Sequence, residues 1–458
     1  MKTQVLVIGA GASGLTAAIY AARGGCEVHI LEAQDRPAKK ILATGNGKCN
    51  YTNEKMEISC YRSASLQQAE VVLSQYPTSA AIDYLKEIGI RPSIRDGYLY
   101  PSSGQAASVA ECLLMEAKQL HVVIHTDSLV KQIKKLRDGF EAVTAAGEHF
   151  VSDALILAAG SLAGMKAGKL IDPQTFFRTL GLKVQPVVPA LTALVQENDP
   201  VGKLWSGVRV QATVTLFSDG KRMSKDTGEV QLTDYGISGI PVFQVSRYAA
   251  YSLLKNKKTE VVIDFMPSMT KDELLEELHV RARFTERNAQ GQLCGLWNSK
   301  LVQALCRKVR IAIDRPMRPT DCEHLAELAK EYQILITGTN PVSQSQVCAG
   351  GADLREINPE TMECINVPGL YLTGELLDVD GICGGYNLHW AWATGTLAGK
   401  AVASAVKTHV QDNKNHTKDK KEYTKDNKTY IRDHKSHTKE NKEYTKGHNA
   451  PKNRGKNR

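Results

Sequence analysis

An apolar run, Val5-Leu6-Val7-Ile8, leads directly into Gly9-Ala10-Gly11-Ala12-Ser13-Gly14, and a second apolar run, Val28-His29-Ile30-Leu31, ends on Glu32. Between them Leu15–Arg23 carries Ala17, Ala18, Ala21 and Ala22, small residues in helical spacing. The order is strand, glycine turn, helix, strand, acid. Gly9 permits the tight turn, Gly11 lets a backbone come close to a pyrophosphate, and Gly14 lets helix and strand pack closely. The helix N-terminus at Ala12 and Ser13 offers amide groups and the positive end of its dipole to that anion. Glu32, 18 residues after Gly14, is placed to accept hydrogen bonds from a ribose diol, and its charge disfavours a 2′-phosphate. A glycine turn alone is a weak signal; all four parts together predict a dinucleotide-binding unit. An acid-ended second strand has no place in a secretory leader.

The length of 458 residues allows two or three domains. No apolar run approaches the roughly 20 residues of a membrane-spanning helix. Ten cysteines are scattered without a CxxC pair or a Cys/His cluster at ligand spacing, which predicts no metal site, reduced thiols and a cytoplasmic setting. The net charge of +9 suggests a nucleic-acid partner until it is located: 16 Lys/Arg and 7 Asp/Glu fall in residues 405–458, so the tail carries the whole excess. There His416–Lys425 recurs in altered form as His437–Lys446. With almost no aliphatic residues, this segment is predicted to be a disordered, solvated, low-complexity basic tail, a reading that composition favours over an RNA-binding one.

Residues 1–190 read as the first part of an α/β, Rossmann-type domain. A second glycine-ended strand, Ala154 to Gly160, is expected to rejoin the same parallel sheet, and Val130 follows a further strand signal where a backbone group can meet an adenine. Residues 191–269 alternate in period two and predict a β-rich insertion. Residues 270–340 read as a helical insertion, with Leu274, Leu275 and Leu278 at three-to-four spacing and helix extending to about Leu335. Residues 341–404 return to the nucleotide fold: Gly369–Glu375 is a strand ending in Gly374 and an acid, followed by a helix from Asn387 to Lys400. Glu375 is placed to hold a ribityl chain, and the helix start at Asn387 and Leu388 to stabilise charge at flavin N1 and O2. This return favours FAD over NAD as the resident cofactor.

Four stretches together resemble the HI0933-like family of FAD-dependent oxidoreductases: Gly9–Gly14; Lys40–Asn53; Gly228–Arg247; and Gly374–Leu388. The resemblance covers most of residues 1–403. It implies a Rossmann-type FAD domain interrupted by a β-rich and a helical insertion. Carried over by position, it implies that Gly9, Gly11, Ala12, Ser13, Gly14 and Glu32 meet the ADP moiety. Lys40 and the loop of Gly45, Asn46, Gly47 and Asn50 pass the diphosphate and flavin, with Val130 and Gly160 alongside, while Glu375, Asp380, Asn387 and Leu388 close on the ribityl and isoalloxazine. Ser161–Lys166 departs from the Tyr/Pro/Gly-rich turn frequent in the family, and the basic tail lies outside its pattern.

A second Gly-x-Gly-x-x-Gly unit is absent, so hydride is expected to reach the flavin from transient NAD(P)H or from the substrate itself. Tyr386 and His389 flank the flavin-facing helix start as candidate proton donors, and Cys49 is a candidate reactive thiol. A packed turn cysteine and a core histidine are the competing readings of the last two. The resemblance implies Δ4,6-reduction of the conjugated double bonds of 3-oxo bile-acid or steroid intermediates, and the neutral body, the apolar-rich insertion and several tyrosines suit a large apolar, carbonyl-bearing small molecule better than a small cationic amine. Two alternatives remain at this level: an amine or aminoketone (aminoacetone) oxidase, and a nucleic-acid-associated flavoprotein using the basic tail.

Overall fold

The computed structural model describes residues 1–165, 172–197 and 199–408. The chain divides into two units, Met1–Ala403 and Ser404–Arg458. The second is described only over residues 404–408, which are helical; the basic tail from 409 onward, and with it the expectation of disorder, lies outside the described residues. Lys166, at the end of the departing turn, does too.

In the first unit the opening motif folds as its pattern requires. Strand Lys2–Ile8 pairs in parallel with Val28–Leu31 on one side and His149–Leu157 on the other, with Ile8 level with Leu31 and Leu157. Val123–His125 extends the sheet beyond Val28–Leu31. The N-terminal half of His149–Leu157 pairs antiparallel with Gly139–Thr144, and its C-terminal end pairs in parallel with Leu370–Leu372, returned from more than 200 residues later. Val5, Leu6, Leu155, Ile156 and Leu157 are fully buried, as expected of strands covered on both faces. The C-terminal edge of this sheet gathers Gly9, Ala158 and Thr373 side by side, where ligands bind in open α/β sheets.

Residues 194–339 contain a closed antiparallel barrel of six strands, in the order Leu194–Gln196, Gly236–Gly239, Lys221–Leu232, Arg209–Ser218, Thr259–Asp264 and Tyr332–Thr339. The helix expected to reach Leu335 stops at Lys330. Tyr332–Thr339 is a strand, because Tyr332, Ile334 and Ile336 alternate inward with exposed or half-exposed neighbours and satisfy period two rather than 3.6. The helices Lys271–Ala282, Ala289–Leu293, Ser299–Lys308 and Pro319–Lys330 are spliced between the last two barrel strands. Leu274, Leu278, Leu301, Val302 and Leu325 join Trp205, Phe265 and Tyr332 in one hydrophobic cluster, so strands and helices share a core. Lys271–Ala282 starts on a capping box, Thr270 accepting from the Glu273 amide and Glu273 from the Thr270 amide.

One helix in the barrel region, Ile240–Leu254, was not expected from the β-rich pattern. It packs on the barrel strands and on Val184–Ala190, which pairs with Val347–Ala352. Its polar side chains reach the segment between Glu375 and the C-terminal helix.

Candidate functional site

The glycine turn has the geometry its residues permit. Gly9 lies at φ +102, and a Cβ there would stand 2.5 Å from the Ala158 carbonyl oxygen; at Gly14 it would stand 2.0 Å from that of Gly9. Gly11 differs: its φ is −81 and nothing lies within 4 Å of the Cβ position. The helix Ala12–Arg23 starts there without a side-chain cap, leaving its first amides available to an anion. Glu32 ends the second strand with Oε2 accepting from the Ala10 amide (2.7 Å) and Oε1 from that of Gln34 (2.8 Å). Burial raises its pKa against these bonds. Beside it the Ser128 amide donates to the Glu32 carbonyl (2.8 Å), bringing buried Val130 to the same end.

The second centre is Glu375. Its Oε2 is ion-paired with Lys40, while Oε1 accepts from Ser161 Oγ (2.7 Å) and the Cys348 amide (2.8 Å). Gly374, at φ +69, has room for only a hydrogen because a Cβ would stand 2.5 Å from Ser13 Oγ. Trp390 Nε1 donates to the Gly374 carbonyl (3.1 Å), tying this strand end to the C-terminal helix. That helix begins at residue 386. Asn387 Oδ1 accepts from the Gly381 amide (2.8 Å) and its Nδ2 donates to the Gly381 carbonyl (3.0 Å). The side chain of Asn387 therefore closes the preceding loop, and the backbone of Asn387 and Leu388 forms the helix start.

The loop of Gly45, Asn46, Gly47 and Lys48 is exposed, and Gly45, Asn46, Gly47 and Cys49 all have positive φ. Asn50 anchors its far end: with its amide turned to donate to the Thr52 and Leu99 carbonyls, its oxygen accepts from the Gly385 amide (3.3 Å). Asn53 Nδ2 donates to the Gly384 carbonyl (3.1 Å). The long second and fourth motifs thus meet in space. A cavity of about 190 Å³ adjoins Glu375, lined by Gly160, Ser161, Val188, Cys348 and Gly351 among others.

The candidate proton donors and thiol are deeply set. His389 is fully buried, with Nδ1 2.8 Å from Thr52 Oγ1 and Nε2 2.9 Å from the Tyr76 carbonyl, and burial lowers its pKa to about 4. It is a neutral core residue here with both ring nitrogens engaged. The Tyr386 hydroxyl donates to the Lys55 carbonyl (2.9 Å), and burial raises its pKa. Burial pushes the Cys49 thiol up to about 11, so it carries no thiolate at neutral pH.

Asp380 sits in the loop before the helix, paired with Arg62 through a two-residue bridge, and its side chain is buried. Burial first, then repulsion from Asp378, pushes its pKa up to about 7 against the attraction of Arg247 and Arg62. Arg247 and Ser161 were not marked as site residues by sequence reasoning. Arg247 closes the family-like stretch Gly228–Arg247 and is the one charged side chain of the helix Ile240–Leu254, and that isolation was the usable signal. Ser161 stood in the turn noted as a departure from the family.

Among the described residues no helix is long and apolar enough to cross a membrane, and no cluster of His, Cys, Asp or Glu has metal-binding geometry. The uncapped helix start with open space at Gly11, the acid at the second strand end and the clamped Glu375 fit an adenine dinucleotide carrying a flavin. The profile of the HI0933-like protein Rossmann domain matches residues 3–401. The chain is 42% identical over 406 residues to a 3-dehydro-bile acid delta(4,6)-reductase of Clostridium scindens, covering 87% of this chain and 99% of that protein. It is 28% identical to a ribosomal RNA dihydrouridine synthase of Haemophilus influenzae and 26% identical to one of Escherichia coli, in each case over 86% of this chain and 96% of the relative. Fold, site geometry and relatives agree, and the chain belongs to the HI0933-like family of FAD-dependent oxidoreductases.

Proposed function

We propose that the protein reduces carbon–carbon double bonds conjugated to a ketone in 3-oxo bile-acid or related steroid intermediates, taking its electrons from NAD(P)H. The observation that carries this reading is the 42% identity, spread over nearly the full length of a relative named for that reaction. Bound FAD supplies the hydride equivalent that such a reduction requires. The protein's own residues bind and orient. Gly9, Gly11, Ala12, Ser13 and Gly14 hold the pyrophosphate on the helix start, Glu32 the ribose, and Val130 the adenine edge. Lys40, Gly45, Asn46, Gly47, Asn50, Gly160, Gly374 and Glu375 follow the diphosphate and ribityl, with Asp380, Asn387 and Leu388 closing on the ring. Lys40 and Ser161 fix both oxygens of Glu375, so its orientation is set before the cofactor arrives.

The test is an anaerobic titration of the FAD-loaded protein with NADH or NADPH, followed by a 3-oxo-Δ4,6 steroid acid, with the visible flavin band as readout. Bleaching by one nucleotide and recovery on the steroid is the expected result. Recovery only on admission of oxygen points to an oxidase and overturns the reading. Recovery on a uridine-containing RNA but not on the steroid moves the substrate to the base reduced by the dihydrouridine-synthase relatives.

A further inference from the structure

We propose that Arg247 is the donor that takes the substrate's carbonyl oxygen, with Asp380 as its positioning residue; this rests on the reading of the protein as a reductase of conjugated ketones. Arg247 lies on the helix Ile240–Leu254, whose polar side chains reach Cys383 and Asp380 in the segment leading from Glu375 to the C-terminal helix, and also Arg62 and Pro186. Gln244 Oε1 accepts from the Cys383 amide (3.3 Å), the Tyr248 hydroxyl accepts from Arg62 Nε (2.8 Å), and the Tyr251 hydroxyl donates to the Pro186 carbonyl (3.0 Å). Between these contacts Arg247 Nε lies 3.0 Å from Asp380 Oδ2. Its guanidinium stands 5.4 Å from the ring centre of Tyr248 and 5.3 Å from that of Tyr251.

The pairing is incomplete. The Arg247 Nε hydrogen is not directed at the carboxylate, and Asp380 Oδ1 is buried with no hydrogen-bond partner among the described residues. Neither Nη group of Arg247 has an acceptor among them, and the side chain retains 15% of its exposure. The neighbouring cations are occupied: Lys40 by Glu375, and Arg62 by Tyr248 and by the carbonyls of Ser59 and Tyr61. A partly desolvated guanidinium whose two Nη groups have no acceptor among the described residues is suited to an oxygen that carries negative charge.

The proposed reaction supplies such an oxygen. Bound reduced flavin would supply a hydride equivalent to the β-carbon, on which the pair of the C=C bond would shift into the bond between the α-carbon and the carbonyl carbon, and the carbonyl pair onto oxygen. Arg247 holds the resulting enolate oxygen, and a proton from water completes the α-carbon as the carbonyl reforms. Donors aimed at charge that develops only during reaction account for rate factors of about 100 to 1,000 each. Asp380 keeps the guanidinium in place by charge attraction, its Oδ2 lying 3.0 Å from Nε.

The experiment uses the FAD-loaded full chain and a steroid with a phenolic first ring, which mimics the enolate and cannot be reduced. Binding and phenol ionisation are followed by the long-wavelength absorbance of a phenolate stacked on oxidised flavin, across pH, in wild type, Arg247→Gln, Arg247→Lys and Asp380→Asn. The groups facing Arg247 that titrate or carry charge are Asp378 and Asp380 from the loop, Arg62 from the neighbouring strand, and Tyr248 and Tyr251 from its own helix. Wild type is expected to ionise the phenol well below its free pKa. Arg247→Gln abolishes that shift and weakens phenolate binding about 100-fold and Arg247→Lys restores part of it, with FAD content constant in both, while Asp380→Asn, compared at equal FAD occupancy, lies between. An unshifted phenol pKa in wild type, or the same shift in Arg247→Gln, overturns the proposal. In parallel, pre-reduced protein is mixed with a 3-oxo-Δ4 steroid without oxygen. If wild type is not reoxidised, the reductase reading fails and this inference with it; if Arg247→Gln is reoxidised as fast as wild type, the inference alone fails.

Discussion

Gly11→Ala separates what the glycine turn does for the fold from what it does for the cofactor. Gly11 has φ −81 and ψ −169, a conformation open to alanine, and no atom lies within 4 Å of the added methyl. The unliganded protein therefore gains slightly, by about 0.4–1 kcal/mol through the unfolded chain, a rise of about 1 °C or less for a protein of this size. A pyrophosphate resting on the helix start meets that methyl instead. Overpacking costs about 1–3 kcal/mol, which weakens FAD binding by about 5- to 150-fold. Gly14→Ala is the contrast, because its methyl would stand 2.0 Å from the Gly9 carbonyl oxygen and must displace the turn itself; it lowers the melting temperature of the unliganded protein. Flavin-fluorescence titration and thermal melts of both variants, stripped of FAD, make the comparison. Unchanged FAD affinity in Gly11→Ala would show that the pyrophosphate does not lie on this turn.

Three further outcomes follow from the same geometry. Asp380 has a folded pKa of about 7 against an ordinary 3.8, so its protonated form stabilises the fold fully below about pH 4, and this contribution is lost as pH rises through 7. Relative to wild type, Asp380→Asn should gain stability over that window, up to about 4 kcal/mol at about 1.36 kcal/mol per pKa unit; a difference in urea midpoints that is flat with pH would refute it. Ser161→Ala removes one of two donors to Glu375 Oε1, which should cost about 1 kcal/mol and a several-fold loss of FAD affinity, read by isothermal titration; an unchanged affinity would mean that the clamp does not orient Glu375. Alkylation of the native protein at neutral pH should modify exposed Cys294 and spare buried Cys49, and early labelling of Cys49 by mass spectrometry would show that the Gly45–Gly47 loop opens.

Much of the nucleotide fold was legible because its signals are local. The glycine turn, the small-residue helix and the acid-ended strand lie within 32 residues, and each carries its own steric reason. The strands ending before Gly160 and Gly374 were equally readable as apolar runs stopped by glycine, and both join the first strand's sheet. The strand Tyr332–Thr339 was misread because it follows directly on the helix Pro319–Lys330, and a short apolar run beside a helix does not declare its period. The helix Ile240–Leu254 was hidden by its alternating neighbours, although Pro241 stands at its first turn.

The sequence by itself determined the cofactor class, the parallel sheet and the positions of the strand ends, since these depend on residue types within a single strand–turn–helix step. Tertiary structure alone decided which of those residues meet. Lys40, Ser161 and Cys348 converge on Glu375 from three distant segments. The barrel closes by pairing Leu194–Gln196 with Tyr332–Thr339, and Arg247 reaches Asp380 only because that closure lays its helix along the loop. Hydrophobic period and turn chemistry act over a few residues, whereas a carboxylate's pKa and a guanidinium's free donors depend on what burial brings within a few ångströms, whatever the separation along the chain.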